Sequence, residues 1–183
     1  RAISTLTVLV LSTPEFLLAT LLLFGLAVVY PIFPPLAQVS AASGPLGFLY
    51  MITLPALTLA ILLAAHFLIW LILPILTSHN LELDLAEDLA LGKEWQLGYW
   101  KHPPLPWWVA DVAYRLTGQI KSVYALGPLA VIACFIGVYL LARDIAGPVQ
   151  ALLATLALVG IHYYNYSAVK FAHDQMQLPF WAF

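Results

Sequence analysis

Residues 48–78 read FLYMITLPALTLAILLAAHFLIWLILPILTS. The run contains no Asp, Glu, Lys or Arg, and a bilayer-spanning helix needs about 20 mostly apolar residues. It therefore reads as a membrane-spanning helix with length to spare, which predicts a tilt or a kink at Pro55 and Pro74. His66 lies in its middle. Two readings are open, a group on a polar pathway or a neutral imidazole bonded to a nearby backbone or hydroxyl group, and the second is favoured.

The rest of the chain has the same character. Of its 183 residues 63% are hydrophobic and 9% are charged, with a mean hydropathy of +0.93. Soluble domains carry about 25% charged residues, so a water-soluble globular fold is excluded. Upstream, residues 5–30 (TLTVLVLSTPEFLLATLLLFGLAVVY) are long enough to span. Pro14-Glu15 interrupts them, and Glu15 is expected at headgroup depth in the first turn of the helix that Pro14 starts. The other reading makes Glu15 an intramembrane functional acid. The uncharged, proline-broken residues 31–47 form a connecting loop.

Downstream, further spans are expected at about 123–142 and 148–166, the latter ending in HYYNY, and another begins near Met176. Residues 104–118 (PLPWWVADVAYRLTG) read as a short amphipathic helix ending at Gly118. Trp107 and Trp108 would anchor it at the interface, and Asp111 and Arg115 have the spacing of an exposed helical ion pair. The expected fold is all-α: a polytopic transmembrane helical bundle with a short amphipathic interfacial helix in its first large external loop.

Net charge is -2 and no basic block occurs, so nucleic acid is not an expected partner; the lipid bilayer is. One cysteine, Cys134, lies in AVIACFIGVYLL. It allows no internal disulfide or CxxC framework and reads as a small buried hydrophobe. Arg143, in the tight loop after the third span, favours a cytoplasmic position for that loop. Alternation then puts 79–121 and 167–175 together on the opposite face. The chain starts at Arg1 and stops at QLPFWAF, inside an apolar segment, so a fragment of a longer protein is expected.

Against this background residues 80–108, NLELDLAEDLALGKEWQLGYWKHPPLPWW, stand apart. Seven of the sixteen Asp, Glu, Lys and Arg residues fall here, with four tryptophans. Asp84, Glu87 and Asp88 stand at i, i+3 and i+4. In a helix ended by Gly92 they share one side, while Leu81, Leu85 and Leu89 line another. The acids are either a solvated surface face or a site in which one serves as general base or cation ligand. Lys101 and His102 precede Pro103-Pro104, which forces an extended turn. A rigid Lys-His pair at headgroup depth suits a phosphate, although a basic, aromatic interface anchor has the same spacing. Lys170, His173 and Asp174 form a third polar cluster, which is either another phosphate or acid-base site or the polar cap of a hairpin between spans.

An Asp soon after a long span, followed by GYWKHPPLPWW and a short helix ending in LTG, resembles the polytopic GT-C glycosyltransferases. The nearest subgroup is the bacterial family 39/83-like enzymes, related to protein O-mannosyltransferases and lipid A aminoarabinose transferases. Their acid precedes the residue before Pro-Pro by eighteen positions, the interval that separates Asp84 from His102. KFAHDQMQLPFWAF is similar to the segment that opens a later span in these proteins. The resemblance covers residues 79–183.

It implies an enzyme, a membrane glycosyltransferase moving a sugar from a polyprenyl-phosphate carrier to a lipid, glycan or protein acceptor. Asp84 would be the base; Lys101, His102, Lys170 and His173 would contact the carrier phosphate. The family's usual Asp-Glu is here Asp84-Leu85, so either Glu87 takes the second acid's place or that function is absent; Asp88 and Asp174 are further acids of the polar clusters. No metal or other cofactor is expected. Residues 1–47 would be an extra N-terminal segment and loop, and 48–183 the N-terminal part of a truncated catalytic domain that is inactive alone. The location implied is the bacterial inner membrane, with the site on its periplasmic face. Two other classes fit the composition: a transporter or flippase, which should carry ionisable groups deep in discontinuous helices, and a non-catalytic membrane assembly subunit.

Overall fold

The computed structural model describes residues 44–183, together with Leu21, Gly25, Val29 and Tyr30. Apart from those four, the readings for residues 1–43 (the first span, Glu15 and the connecting loop) lie outside the described residues. The described residues form helices and turns with no strand among them. From Gly44 onward six α-helices follow in order: α1 (Gly44–Thr77), α2 (Leu83–Gly92), α3 (Pro104–Thr117), α4 (Leu126–Ala146), α5 (Pro148–Val159) and α6 (His173–Ala182). Short 3-10 turns occupy Ile120–Ala125, His162–Tyr164 and Tyr166–Lys170.

Among the described residues, two stretches are long and apolar enough to cross a membrane, Ala56–Thr77 within α1 and Ile120–Ala146. The chain is an all-α membrane protein. Helix α1 continues through both Pro55 and Pro74. The fourth expected span is shorter than its sequence suggested: α5 ends at Val159, and HYYNY enters a 3-10 turn instead of continuing the helix. Gly160 closes α5, and tyrosines and Asn165 have poor helix propensity.

The chain divides into two compact units. One consists of Arg1–His66 and Val138–Ile161. Its described buried residues include Thr58, Leu62, His66, Ala151, Leu152, Thr155 and Val159. Thr155 turns its hydroxyl back to donate to the Ala151 carbonyl at 2.9 Å, the ordinary way of satisfying a buried helical threonine.

The other unit, Phe67–Gly137 with His162–Phe183, holds all the polar clusters. Its core joins Trp70, Leu85, Leu89, Ala110, Val123, Tyr124, Ala130, Val169 and Phe171. Leu85 and Leu89 lie one turn apart on α2 and form its inner face, as expected, while Leu81 precedes the helix and packs against the same core. Pro104 starts α3 at a position where a missing N–H costs nothing. Gly118 ends it in the left-handed conformation at φ 67°, its N–H bonded to the Tyr114 carbonyl at 2.8 Å. Helices α2 and α3 pack closely because Gly92 has no side chain: a Cβ there would collide with the Trp107 carbonyl.

Two expectations are corrected here. Trp107 is 1% exposed and belongs to the packed interior, so it is no interface anchor. Asp111 and Arg115 do pair, at 2.6 Å, but the Asp111 side chain is only 2% exposed. It also accepts a 2.6 Å hydrogen bond from the Trp95 indole. The exposed ion pair of the sequence is a half-buried junction tying the 93–103 loop to α3.

Candidate active site

Helix α2 opens with Leu83 and places Asp84 in its first turn, where the helix dipole favours a negative charge. Glu87 follows, and its Oε2 accepts from Lys101 Nζ at 2.5 Å. This bond is the main reason the Lys101 ammonium is held above its ordinary range. Asp88, one turn beyond Asp84, is 2% exposed. A wholly solvated acidic face is therefore not what α2 presents. The Trp107 indole bonds the Asp88 carboxyl, and Oδ2 of Asp88 has no hydrogen-bond partner.

The loop from Lys93 to Pro103 is pinned along its length. Tyr99 donates to the Leu91 carbonyl and accepts from the Gln96 N–H, both at 3.1 Å. Trp95, at φ 48°, stacks on Trp108 with centroids 5.5 Å apart, and the Arg115 guanidinium lies 5.9 Å over its ring. A positive φ is unfavourable for an aromatic residue; the indole's contacts with Asp111, Trp108 and Arg115 hold it there. The loop thereby delivers Lys101 and His102 beside α2.

The second polar segment arrives through the Tyr166–Lys170 turn. Gln175, 4% exposed, accepts from the Ala172 N–H and donates to the Ser167 carbonyl, each at 3.1 Å. One side chain thus closes the loop that carries Lys170 and His173. Gly127 admits that loop, since a Cβ at Gly127 would strike the Ala168 carbonyl.

The segments meet. His102 and His173 stack with ring centroids 4.0 Å apart and planes 20° off parallel. His173 Nε2 lies 2.9 Å from Asp174 Oδ1. Burial, then the neighbouring His173 and Lys101, push His102 below its usual value. Asp84, His102, Lys170, His173 and Asp174 all line one cavity of about 210 Å³, together with Tyr163, Ser167, Ala172 and Gln175. Lys101 and Glu87 do not line it; they form the adjoining ion pair. Asp88 lies beneath, in the protein interior. Tyr163, Ser167 and Gln175 were not singled out in the sequence. Tyr163 sits in HYYNY, which read only as the end of a span, and Gln175 follows KFAHD directly. Among the described residues, no three His, Cys, Asp or Glu side chains gather so as to hold a metal ion.

Chemically, the cavity joins one lysine and two imidazoles to two carboxylates. That set can hold an anion while a carboxylate takes a proton close by. Residues 101–183 match the family model for dolichyl-phosphate-mannose-protein mannosyltransferases. The match supports the GT-C resemblance. The similarity to that family is confined to these 83 of the 183 residues. The matched range includes Lys101, His102, Lys170, His173 and Asp174 and begins after Asp84, Glu87 and Asp88. No curated protein matches the chain, and no solved structure does.

Proposed function

We propose that this chain contributes the donor end of a glycosyltransferase that moves a sugar from a polyprenyl-phosphate carrier to a hydroxyl of a lipid, glycan or protein. The observation that carries this reading is the convergence of Asp84 with His102, Lys170 and His173 on one cavity, in a chain whose later part matches the mannosyltransferase model. Asp84 is the base. It takes the acceptor hydroxyl proton as the acceptor oxygen bonds to the anomeric carbon; the carbon–oxygen bond to the phosphate breaks and its electron pair leaves with the carrier phosphate. The leaving group is already a good one, so the protein mainly supplies positioning, a base and charge stabilisation.

Lys170, His102 and His173 face the phosphate from the cavity wall. Lys101 acts beside them, its charge shared with Glu87, and Glu87 stands in for the family's second acid. The site works without a required metal, on the periplasmic face of a bacterial inner membrane. The test is the full-length protein in membranes, given a panel of radiolabelled polyprenyl-phosphate sugars and scored for label in lipid, glycan and protein. Transfer that is lost in Asp84→Asn while membrane insertion is kept is expected. Normal turnover by that variant removes Asp84 from the role of base.

A further inference from the structure

Helix α2 carries its acids on one side, and the opposite side is apolar and uncovered. Ala86, Ala90 and Lys93 stand at i, i+4 and i+7, the last just past the helix end but still in helical conformation. Both alanines are exposed, where a helix lying in water would place polar side chains. With Leu81, Leu89, Tyr114 and Ile120 these residues line a groove of about 260 Å³. It shares no lining residue with the cavity that holds Asp84.

The groove lies at the edge of the hydrocarbon. Leu81 comes shortly after Thr77, where one span ends, and Ile120 opens the other. The two span ends are tied together: Lys121 Nζ donates to the Ile75 carbonyl at 2.8 Å, and the Tyr124 hydroxyl donates to the Asn80 carbonyl at 3.2 Å. Helices α2 and α3 thus roof a recess at the junction of acyl chains and headgroups. Charge then selects the occupant. Lys101 pairs with Glu87, Lys121 is held by Ile75, and Lys170 lies over the Tyr166 ring. The Lys93 ammonium has no such partner among the described residues, and the adjacent Glu94 is bonded by Gln96.

We propose that this groove seats one acyl chain of an anionic bilayer phospholipid, with the headgroup phosphate on Lys93. The chain covers the leucine and alanine walls, and the lysine reaches up to the headgroup. The carrier lipid is not the occupant. Its phosphate would have to meet Lys170 and His102, whereas Lys93 lies on the side of α2 away from Asp84. The bound phospholipid fastens α2 and α3 to the membrane surface and takes no part in sugar transfer, so the proposal stands apart from the glycosyltransferase reading.

The experiment uses the full-length protein in phosphatidylcholine vesicles containing phosphatidylglycerol. One lipid at a time carries a photoactivatable group on its acyl chain, and labelled peptides are mapped by mass spectrometry. The phosphatidylglycerol probe should label residues 81–93 and 114–120. Lys93→Gln, a change at an exposed side chain, should cut that labelling about fivefold, the worth of one lysine at an anionic surface. Labelling by the zwitterionic phosphatidylcholine probe should not change in that variant. Ala90→Phe, which fills the groove, should abolish phosphatidylglycerol labelling there. Added phosphatidylglycerol should also raise the melting temperature of the wild type in detergent, and should not raise that of Lys93→Gln. Equal labelling by the two phospholipids, unaltered in Lys93→Gln, would be ordinary lipid contact and overturns the proposal. Preferential labelling of the groove by a photoactivatable polyprenyl phosphate overturns it in favour of the carrier.

Discussion

At the scale of single residues, the site depends on how carboxylates are distributed between water, cavity and interior. Asp84 is half-buried and lines the cavity, so it can reach a substrate without the penalty of full burial. General-base contributions run to about 10²–10⁴-fold; Asp84→Asn is expected to lower transfer by at least about 100-fold, measured as initial rate at saturating donor. On the proposed reading, a base and a phosphate clamp carry the reaction without a divalent ion. Activity should survive EDTA; loss restored by manganese or magnesium would show otherwise. Asp88 makes a separate prediction about stability. Its folded value lies about 3 units above the ordinary 3.8, so the stabilisation it contributes is complete below that ordinary value. It is lost as pH rises through about 7. One unit corresponds to about 1.4 kcal/mol, so the loss reaches about 4 kcal/mol at most. Asp88→Asn removes the penalty. Its melting temperature in detergent should exceed that of the wild type at pH 8 and approach it at pH 5.

At the scale of elements, close approach decides the geometry. Gly92, Gly127 and Gly137 are three points among the described residues where backbone meets backbone, beneath α3, beneath the 166–170 turn and against Ala182 of α6. Gly92→Ala should destabilise by about 1–3 kcal/mol, the usual result of overpacking, read as a lower urea midpoint. Because it moves α2 against α3, it should also lower sugar transfer at temperatures where the protein stays folded. These elements were largely readable in advance. Gly92 as the end of α2, Pro104 and Gly118 as the ends of α3, and the leucine face of α2 are local signals, carried by residues within one or two turns. The environment of the polar groups was not readable. The spacing of Asp111 and Arg115 is the same whether the pair faces water or, as here, meets the Trp95 indole sixteen residues away. Likewise nothing local distinguishes a tryptophan anchoring an interface from Trp107, which is buried by the return of α2. The stacking of His102 on His173 joins positions seventy-one residues apart, and Gln175 earns its place only through the loop it closes. Hydropathy also overran α5, since the aromatic residues after Val159 are apolar enough to extend a span but not helical.

At the scale of the whole molecule, the functional proposal requires the polar face of 79–121 and 167–175 to lie on one side of the membrane and the Arg143 loop on the other. The span Ile120–Ala146 is 27 residues long, and at 1.5 Å per residue it is ample for a hydrocarbon core of about 30 Å. Its two ends must then emerge at opposite surfaces. The chain offers a clean way to test this, because Cys134 is its one cysteine and lies buried within that span, 4% exposed. A membrane-impermeant maleimide should leave Cys134 unlabelled in intact cells. Leu97, 88% exposed at the tip of the 93–103 loop, and Asp144, exposed beside Arg143, are suitable reporter positions. Leu97→Cys should label in intact cells, and Asp144→Cys only after the membrane is permeabilised. The reverse pattern would put the donor cavity on the cytoplasmic face and change which carrier pool it meets, without altering the cavity itself. Labelling of both positions in intact cells would mean that Ile120–Ala146 does not cross the bilayer, and the proposed active-site surface would lose its membrane boundary.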